Sequence, residues 1–199
     1  MNRRKFKLIQ YITRLKCLHL CLYLWLSFIF FPTNAAEPIS EEYKIKAALI
    51  YKITRFVEWP KQIKRKTRER FGLCVLGRND FGSALDKLKG KTIGGAPISI
   101  QHFKQSKSIK QYCQLVFISD SKQAFLKAIL RSLYIHPILT IGDSPNFAEN
   151  GGMIQLSYNN KQFDFKINLN SVKGTGLKIS APLLEMATIV DTKQRSKKR

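Results

Sequence analysis

The sequence is poor in the residues that carry out most enzymatic chemistry. Its 199 residues include 13 Asp and Glu, 4 Cys and 3 His. It contains no His-Glu-x-x-His or Cys-x-x-Cys motif, and glycines such as Gly72, Gly77 and Gly82 form no phosphate-binding loop. No two carboxylates stand out as a general acid and base. We therefore predict a protein that acts by binding, not an enzyme, with no catalytic, cofactor-binding or metal-binding residues.

Histidine is too scarce and too dispersed to indicate a metal site. Beyond the amino-terminal region there are two histidines, His102 and His136, and each lies alone beside an apolar segment. A metal site needs several donors close together in the fold. Both side chains are therefore predicted to be structural.

Acidic residues are outnumbered by basic ones, 13 to 35, and the formal net charge is +22. We predict no nucleic-acid binding, because the basic residues are dispersed and no recognition motif combining aromatic and basic residues is present. An anionic membrane surface or an acidic partner suits this charge better.

Apolar residues make up 44% of the chain, which is enough for a folded core, and there is no internal repeat or second domain.

The amino-terminal residues have the layout of a secretory signal peptide. Six basic residues and no acidic one lie in positions 3–16, a 14-residue apolar run extends from Leu18 to Phe31, and Ala35 and Ala36 follow. The apolar run is shorter than the ~20 residues needed to span a bilayer. We expect cleavage after Ala35 or Ala36, with an uncleaved anchor as the alternative. Cleavage after Ala36 removes the six basic residues and lowers the charge from +22 to +16.

Residues 37–192 are predicted to form one α/β domain, and residues 193–199 a basic tail. Strands alternate with helices, which indicates a mostly parallel sheet with flanking helices. The first helix begins at Glu41 and is expected to bury four residues at helical spacing, namely Ile45, Leu49, Ile53 and Phe56. The last helix, capped by Ser180, is expected to carry Leu183, Leu184, Ala187 and Val190.

An antiparallel hairpin is predicted from Gly151 to Leu169, at the edge of the sheet. Apolar residues alternate along both arms, as in strands with one buried side. Asn159 and Asn160 form a plausible two-residue turn, because Asn tolerates positive φ. The expected register pairs Tyr158 with Lys161, Leu156 with Phe163, and Ile154 with Phe165.

Four polar residues follow predicted strands, where ligand groups often lie in an open α/β sheet. They are Asn79, Asp80, Asp120 and Asp143. A crevice at this edge would suit a small-molecule-binding protein or an enzyme, which is our alternative functional hypothesis. The other interpretation is that these residues cap helices and form turns.

Two cysteines, Cys74 and Cys113, remain after the predicted signal peptide. Each lies in an apolar run, and two adjacent strands would bring them together. In an oxidising compartment they favour a disulfide, with two buried free thiols as the alternative.

Trp59 precedes a proline at the end of the first helix, and we interpret it either as a packed anchor or as a binding residue.

The chain resembles the YfiR family of periplasmic proteins through an ordered set of segments that extends from about Tyr43 to Ile189. None of these segments is specific alone, but their order is. They are Phe56-Val57-Glu58-Trp59-Pro60, Leu73-Cys74-Val75-Leu76-Gly77, Cys113-Gln114-Leu115-Val116-Phe117-Ile118, Ile138-Leu139-Thr140-Ile141-Gly142-Asp143, Gly151-Gly152-Met153-Ile154, Phe165-Lys166-Ile167-Asn168 and Leu177-Lys178-Ile179-Ser180-Ala181-Pro182-Leu183-Leu184.

The resemblance implies a periplasmic repressor that binds the periplasmic sensor part of an inner-membrane diguanylate cyclase and so controls cyclic-di-GMP signalling. It also implies an OmpA-like lipoprotein that sequesters the repressor, allows a homodimer, and maps the family's disulfide onto Cys74 and Cys113. A second cysteine pair, found in some members beside the Gly-Gly-Met segment, is absent here. We place partner-binding residues at Phe56, Glu58 and Trp59.

Overall fold

A computed structural model describes residues 16, 40–61, 63, 69–159 and 162–191. The chain divides into two units, Met1–Pro38 and Ile39–Arg199, and the fold below is that of the second. The predicted cleavage site at Ala35 and Ala36 and the basic tail lie outside the described residues, so both stay predictions. Within the described residues, no helix is long and apolar enough to cross a membrane.

The core of the fold is an eight-stranded sheet with the order β10-β8-β7-β6-β5-β2-β4-β3. Its strands are β2 (Phe71–Leu76), β3 (Thr92–Ile93), β4 (Ala96–Phe103), β5 (Leu115–Ile118), β6 (Leu139–Gly142), β7 (Ile154–Asn159), β8 (Gln162–Asn168) and β10 (Thr188–Val190). The central strands pair in parallel, whereas β7 with β8 and β3 with β4 are antiparallel. This confirms the predicted fold class.

Helices cover both faces of the sheet. They are α1 (Glu41–Thr54), α2 (Ile109–Tyr112), α3 (Leu126–Leu133), α4 (Leu169–Lys173) and α5 (Ala181–Glu185), together with 3₁₀ turns at Ala84–Leu88, Ser106–Ser108 and Asp120–Phe125. Because side chains alternate along a strand, β2 buries Leu73 and Val75 on the α1 side, and Cys74 and Leu76 on the side of α2 and α3. The central strands are therefore buried on both faces, which explains their continuous apolar sequence.

The predicted hairpin forms, but its register is wrong by two residues. Strand β7 pairs Ile154 with Ile167, Leu156 with Phe165, and Tyr158 with Phe163. A shift of two residues keeps every apolar side chain on its original face, so the alternation of the sequence cannot distinguish the two registers. The observed pairing places two fully buried isoleucines opposite each other and brings the rings of Tyr158 and Phe163 to 4.5 Å.

The predicted buried face of the first helix is also wrong in part. Ile53 is buried as expected, but Ile45 is 36% exposed, and the buried positions are Lys46, Ala47, Ile50, Ile53 and Thr54. A lysine occupies the buried stripe because its ammonium group meets a carboxylate inside the fold. Hydrophobic periodicity cannot reveal such a position.

The predicted last helix forms, but its extent is wrong. Helix α5 begins after Ser180 and carries Leu183 and Leu184, but it ends at Glu185, and Thr188–Val190 then forms β10, which pairs in parallel with β8 outside the hairpin. A short strand β9 (Lys178–Ile179) precedes α5 and pairs with β1 (Val57–Glu58) in a separate two-stranded sheet.

A disulfide joins Cys74 to Cys113, with the two Cα atoms 5.9 Å apart. Cys74 lies in β2, and Cys113 ends α2 just before the neighbouring strand β5. Both residues are buried in the cluster under α2 and α3. The bond therefore ties a short helix to the centre of the sheet.

We predict that replacing Cys74 and Cys113 by alanine lowers the free energy of unfolding by about 4 kcal/mol. The bond closes a loop with a sequence separation of 39, and a loop of this length costs the unfolded chain about this much entropy. Urea unfolding of the exported protein, with and without reductant, measures the difference. Reductant should weaken only the wild type, and reactive thiols in the non-reduced wild type would contradict the bond.

The ring of Phe147 is fully buried against the backbone at two glycines. An added Cβ at Gly142 would lie 2.4 Å from the ring, and one at Gly152 would lie 2.1 Å from it. Both distances are too short for any side chain, so glycine is required at both positions by close packing. The Gly-Gly-Met segment thus has a packing role beside β6.

We predict that Gly152→Ala destabilises the fold by about 1–3 kcal/mol, the usual cost of overpacking a core. In a Phe147→Leu background the same substitution should cost much less, because the obstructing ring is gone. Denaturant midpoints of the four proteins in this double-mutant cycle measure the coupling. Equal costs in both backgrounds would show that the ring is not the obstacle.

Candidate functional site

The predicted crevice lies at the carboxyl edge of the parallel strands. The chain proceeds from β2 to β4 on one side and then to β5 on the other, so the loops after β2 and β5 flank a switch point, where open sheets bind ligands. These two loops contact each other closely. The backbone N–H of Arg78 donates to Ser121 Oγ at 2.9 Å, and a Cβ at Gly77 would meet the same oxygen at 2.6 Å.

Three of the four predicted crevice residues lie near one another, and all three are paired within the chain. Arg78 bridges Asp80 and Asp120, at 2.6 and 3.0 Å. The phenol of Tyr43 donates to Asp143 at 2.8 Å and lies 3.4 Å from Asp80. Asn79 is exposed and has no described contact with these groups. The carboxylates therefore act mainly as partners for this chain's own donors.

A buried ion pair forms the inner part of this cluster. Lys46 Nζ lies 2.6 Å from Asp143 Oδ2 and 2.5 Å from a carboxylate oxygen of Glu42. The side chains of Lys46 and Asp143 are 3% and 7% exposed. A buried charge is tolerated when it is paired and hydrogen-bonded. The second oxygen of Asp143, Oδ1, is buried without a hydrogen-bond partner among the described residues.

Tyr43 stays neutral within this cluster. Burial, the negative charge of Asp143 and the hydrogen bond to Asp143 raise the pKa of the Tyr43 phenol well above its ordinary value. The phenol therefore acts as a hydrogen-bond donor and not as a proton acceptor. Tyr43, Lys46 and Arg78 were missed from the sequence. Lys46 left no signal in the hydrophobic periodicity, because neither Lys46 nor the buried Ile50 belongs to the predicted apolar stripe.

The predicted partner-binding residues lie beside a groove of about 590 Å³. Trp59 is 7% exposed, its indole N–H donates to the carbonyl of Gln114 at 3.3 Å, and its ring meets Phe71 edge-on at 5.0 Å. Trp59 is therefore packed into the core. Glu58 is exposed and Phe56 is 36% exposed, so these two are accessible at the surface.

The backbone at these residues is held by the two-stranded sheet. Val57 and Glu58 pair with Ile179 and Lys178, and the N–H of Ser180 donates to the carbonyl of Phe56 at 2.9 Å. The groove is lined by Tyr51, Thr54, Arg55, Val57, Glu58, Trp59, Phe71, Thr92, Ile93, Gly94, Gly95, Ala96 and Gln114. A fixed backbone with exposed side chains suits protein recognition better than catalysis.

The described part of the chain holds no group of three or more His, Cys, Asp or Glu residues that could bind a metal. His102 is exposed on β4, and His136 is half-buried after α3. The two lie on separate elements.

A known family matches the sequence over residues 43–188, and that family is described as YfiR/HmsC-like. This match covers well over half of the chain. The chain belongs to the YfiR/HmsC-like family. Membership supports a role as a periplasmic regulator in general, in a family that is regulatory rather than catalytic.

Among solved structures, the YfiR/HmsC-like chain is similar to a conserved domain protein from Vibrio cholerae O1 biovar El Tor strain N16961. The two share 12% identity with a TM-score of 0.48, over 74% of this chain and 59% of the other. The present chain thus spans less than two thirds of that chain. At such a distance the similarity carries no functional information.

The family match begins at Tyr43, so it includes the buried cluster and both sides of the Lys46–Asp143 pair. This pair joins α1 to the end of β6, 97 residues later. We therefore expect the position of α1, and of the groove of about 590 Å³ that α1 helps to line, to depend on this pair.

We predict that Asp143→Ala costs about 3 kcal/mol in this YfiR/HmsC-like chain, the lower end of the cost of breaking a buried ion pair, because the buried Lys46 ammonium keeps only the partly exposed Glu42 as an ion-pair partner among the described residues. The double variant Lys46→Met with Asp143→Leu should lose much less, since no buried charge remains. Urea unfolding measures both changes. The matched control is Lys89→Met, which breaks an exposed pair with Asp86 and should cost under ~1 kcal/mol. A similar cost for Asp143→Ala and Lys89→Met would contradict the buried role.

Proposed function

We propose that this protein regulates an inner-membrane diguanylate cyclase by binding its periplasmic sensor domain, and so controls cyclic-di-GMP signalling. The observation that carries the proposal is the family match over residues 43–188. The proposal includes export through a cleaved signal peptide and release of the cyclase when an OmpA-like lipoprotein sequesters the regulator. A homodimer is compatible with it.

The chemistry of the described residues supports action by binding. The carboxylates at the sheet edge are engaged by Tyr43, Lys46 and Arg78. Carboxylates that accept hydrogen bonds from the chain's own side chains are poorly placed to take a proton from a substrate.

We place the cyclase-binding surface at Phe56 and Glu58. Glu58 lines the 590 Å³ groove, and Phe56 lies in the chain between Arg55 and Val57, which also line it. Phe56 offers an accessible aromatic ring, and aromatic anchors next to pockets are typical of binding hot spots. Glu58 offers an exposed carboxylate with no described ion pair, beside Arg55 on the same rim. Trp59 contributes indirectly, because its burial fixes the backbone that presents Phe56 and Glu58.

The alternative of a small-molecule-binding protein or enzyme is less well supported. Its strongest feature is the buried, unpartnered Asp143 Oδ1. However, the loops at the switch point are closed against each other by the contacts of Ser121 with Arg78 and Gly77. A ligand would have to displace these contacts to enter between the two loops. Asp143 and Lys46 are reached from another side, where they line a groove of about 550 Å³.

We predict that the tagged protein, expressed in its own host, captures a diguanylate cyclase from detergent-solubilised membranes. The combined variant Phe56→Ala with Glu58→Lys should capture it at least about tenfold less well, because it removes an aromatic anchor and reverses a charge at the interface. Mass spectrometry identifies the captured protein, and titration with the isolated sensor domain gives the affinity.

The control is Phe125→Ala, which removes a more exposed aromatic ring, 65% accessible, from the opposite face of the sheet. It should leave cyclase capture unchanged. Failure of the folded wild type to capture any cyclase would overturn the proposed function. Equal losses in the two variants would overturn the assigned surface alone.

A further inference from the structure

One face of the molecule carries positive charges that nothing in the described structure neutralises. We call it the basic face and define it by six residues on the α2–α3 side of the sheet, Lys104, Lys107, Lys110, Lys122, Lys127 and Arg131. None of the six has an ion pair with a described residue. The single acid between positions 104 and 136, Asp120, is bound by Arg78.

The opposite face has a different charge arrangement. There Lys44 pairs with Glu41, Lys46 with Glu42, and Lys89 with Asp86. Lys52 and Lys87 on that face also have no described ion pair. Three of its lysines are neutralised, however, whereas none of the six cations of the basic face is. Unpaired cations on one side attract anionic surfaces, since their potentials add over distances near the Debye length.

Large apolar side chains are exposed on the same face. Ile135, Phe125 and Tyr134 are 72%, 65% and 58% exposed, and they are three of the four most exposed large apolar residues that the structure describes. They lie at the two ends of α3. Exposed aromatic and aliphatic groups beside cations are typical of surfaces that rest on a membrane interface.

The cations of α3 point away from the core. Lys127 and Arg131 are four residues apart and lie on one stripe of the helix. The buried residues Leu126, Ile129, Leu130 and Leu133 occupy the other side. The exposed Phe125 and Ile135 flank this cationic stripe, because they lie just before the start and just beyond the end of α3.

A shallow groove of about 350 Å³ runs beside this stripe. Its apolar lining comes from Leu76, Phe125, Ala128 and Ile129, and Lys104 and Lys122 also line it. An apolar floor next to lysines matches the two chemical parts of an anionic lipid, the hydrocarbon chain and the phosphate group.

We propose that the basic face docks the protein onto an anionic phospholipid bilayer, with Phe125 and Ile135 entering the interface and the six cations contacting lipid phosphates. A bilayer suits the basic face better than an acidic protein does. Its cations lie beside exposed apolar groups along the outer surface of α3, and they do not surround a single deep pocket. The inference goes beyond the proposed function, which uses the face with Phe56 and Glu58. Docking would hold the regulator near a membrane enzyme, and it does not require the basic face itself to contact that enzyme.

The experiment is co-sedimentation with vesicles of phosphatidylglycerol and phosphatidylethanolamine, compared with vesicles of phosphatidylcholine. We expect binding to the anionic vesicles, weakening as salt is raised, and little to the neutral ones. Lys127→Gln with Arg131→Gln should weaken anionic binding about 25-fold, at about fivefold for each cation removed. Phe125→Ser should weaken it several-fold by removing an interfacial ring.

The matched control is Lys52→Gln with Lys87→Gln, which removes the same charge from exposed positions on the α1 side. It should change binding less than threefold. All variants keep the same amino terminus, so residues 1–36 contribute equally to each. Equal weakening in the two double variants would overturn the proposal, as would absence of binding to anionic vesicles. Because cyclase capture is measured in detergent, either proposal can fail while the other stands.

Discussion

A buried lysine paired with a buried aspartate is the contact on which the arrangement of this protein depends. Lys46 lies on the first helix and Asp143 at the end of β6, and the phenol of Tyr43 donates to the same carboxylate. The first turns of α1, which packs on one face of the sheet, are thereby tied to the carboxyl edge of the central strands. The charges at this edge thus stabilise the fold.

The two faces of the sheet differ in how they handle charge, and this difference organises the functional picture. On the α1 side, Lys44, Lys46 and Lys89 pair with carboxylates, and Trp59 fixes the backbone that presents Phe56 and Glu58. On the other side, a disulfide ties α2 to β2 while the cations of the basic face remain unpaired. A regulator of a membrane enzyme can use both faces, one to recognise a protein and one to approach the bilayer.

Much of the fold was predictable because it depends on local patterns. The alternation of apolar residues predicted the hairpin that β7 and β8 form, and the alternation of strands with helices predicted the mostly parallel sheet. The errors share one cause, which is that competing arrangements satisfy the same pattern. The hairpin register is off by two because both registers bury the same residues, and Lys46 was missed because an apolar stripe does not include lysine.

By itself, the sequence determined the α/β class, the excess of basic residues and the scarcity of catalytic residue types, because these follow from composition and short-range periodicity. Only the tertiary structure decided that Asp143 is engaged by Lys46, 97 positions earlier, that Trp59 is buried, and that Phe125 and Ile135 are exposed at the two ends of α3 near unpaired cations. These facts depend on contacts between residues distant along the chain. Such contacts are set by the packing of whole elements and leave no local pattern.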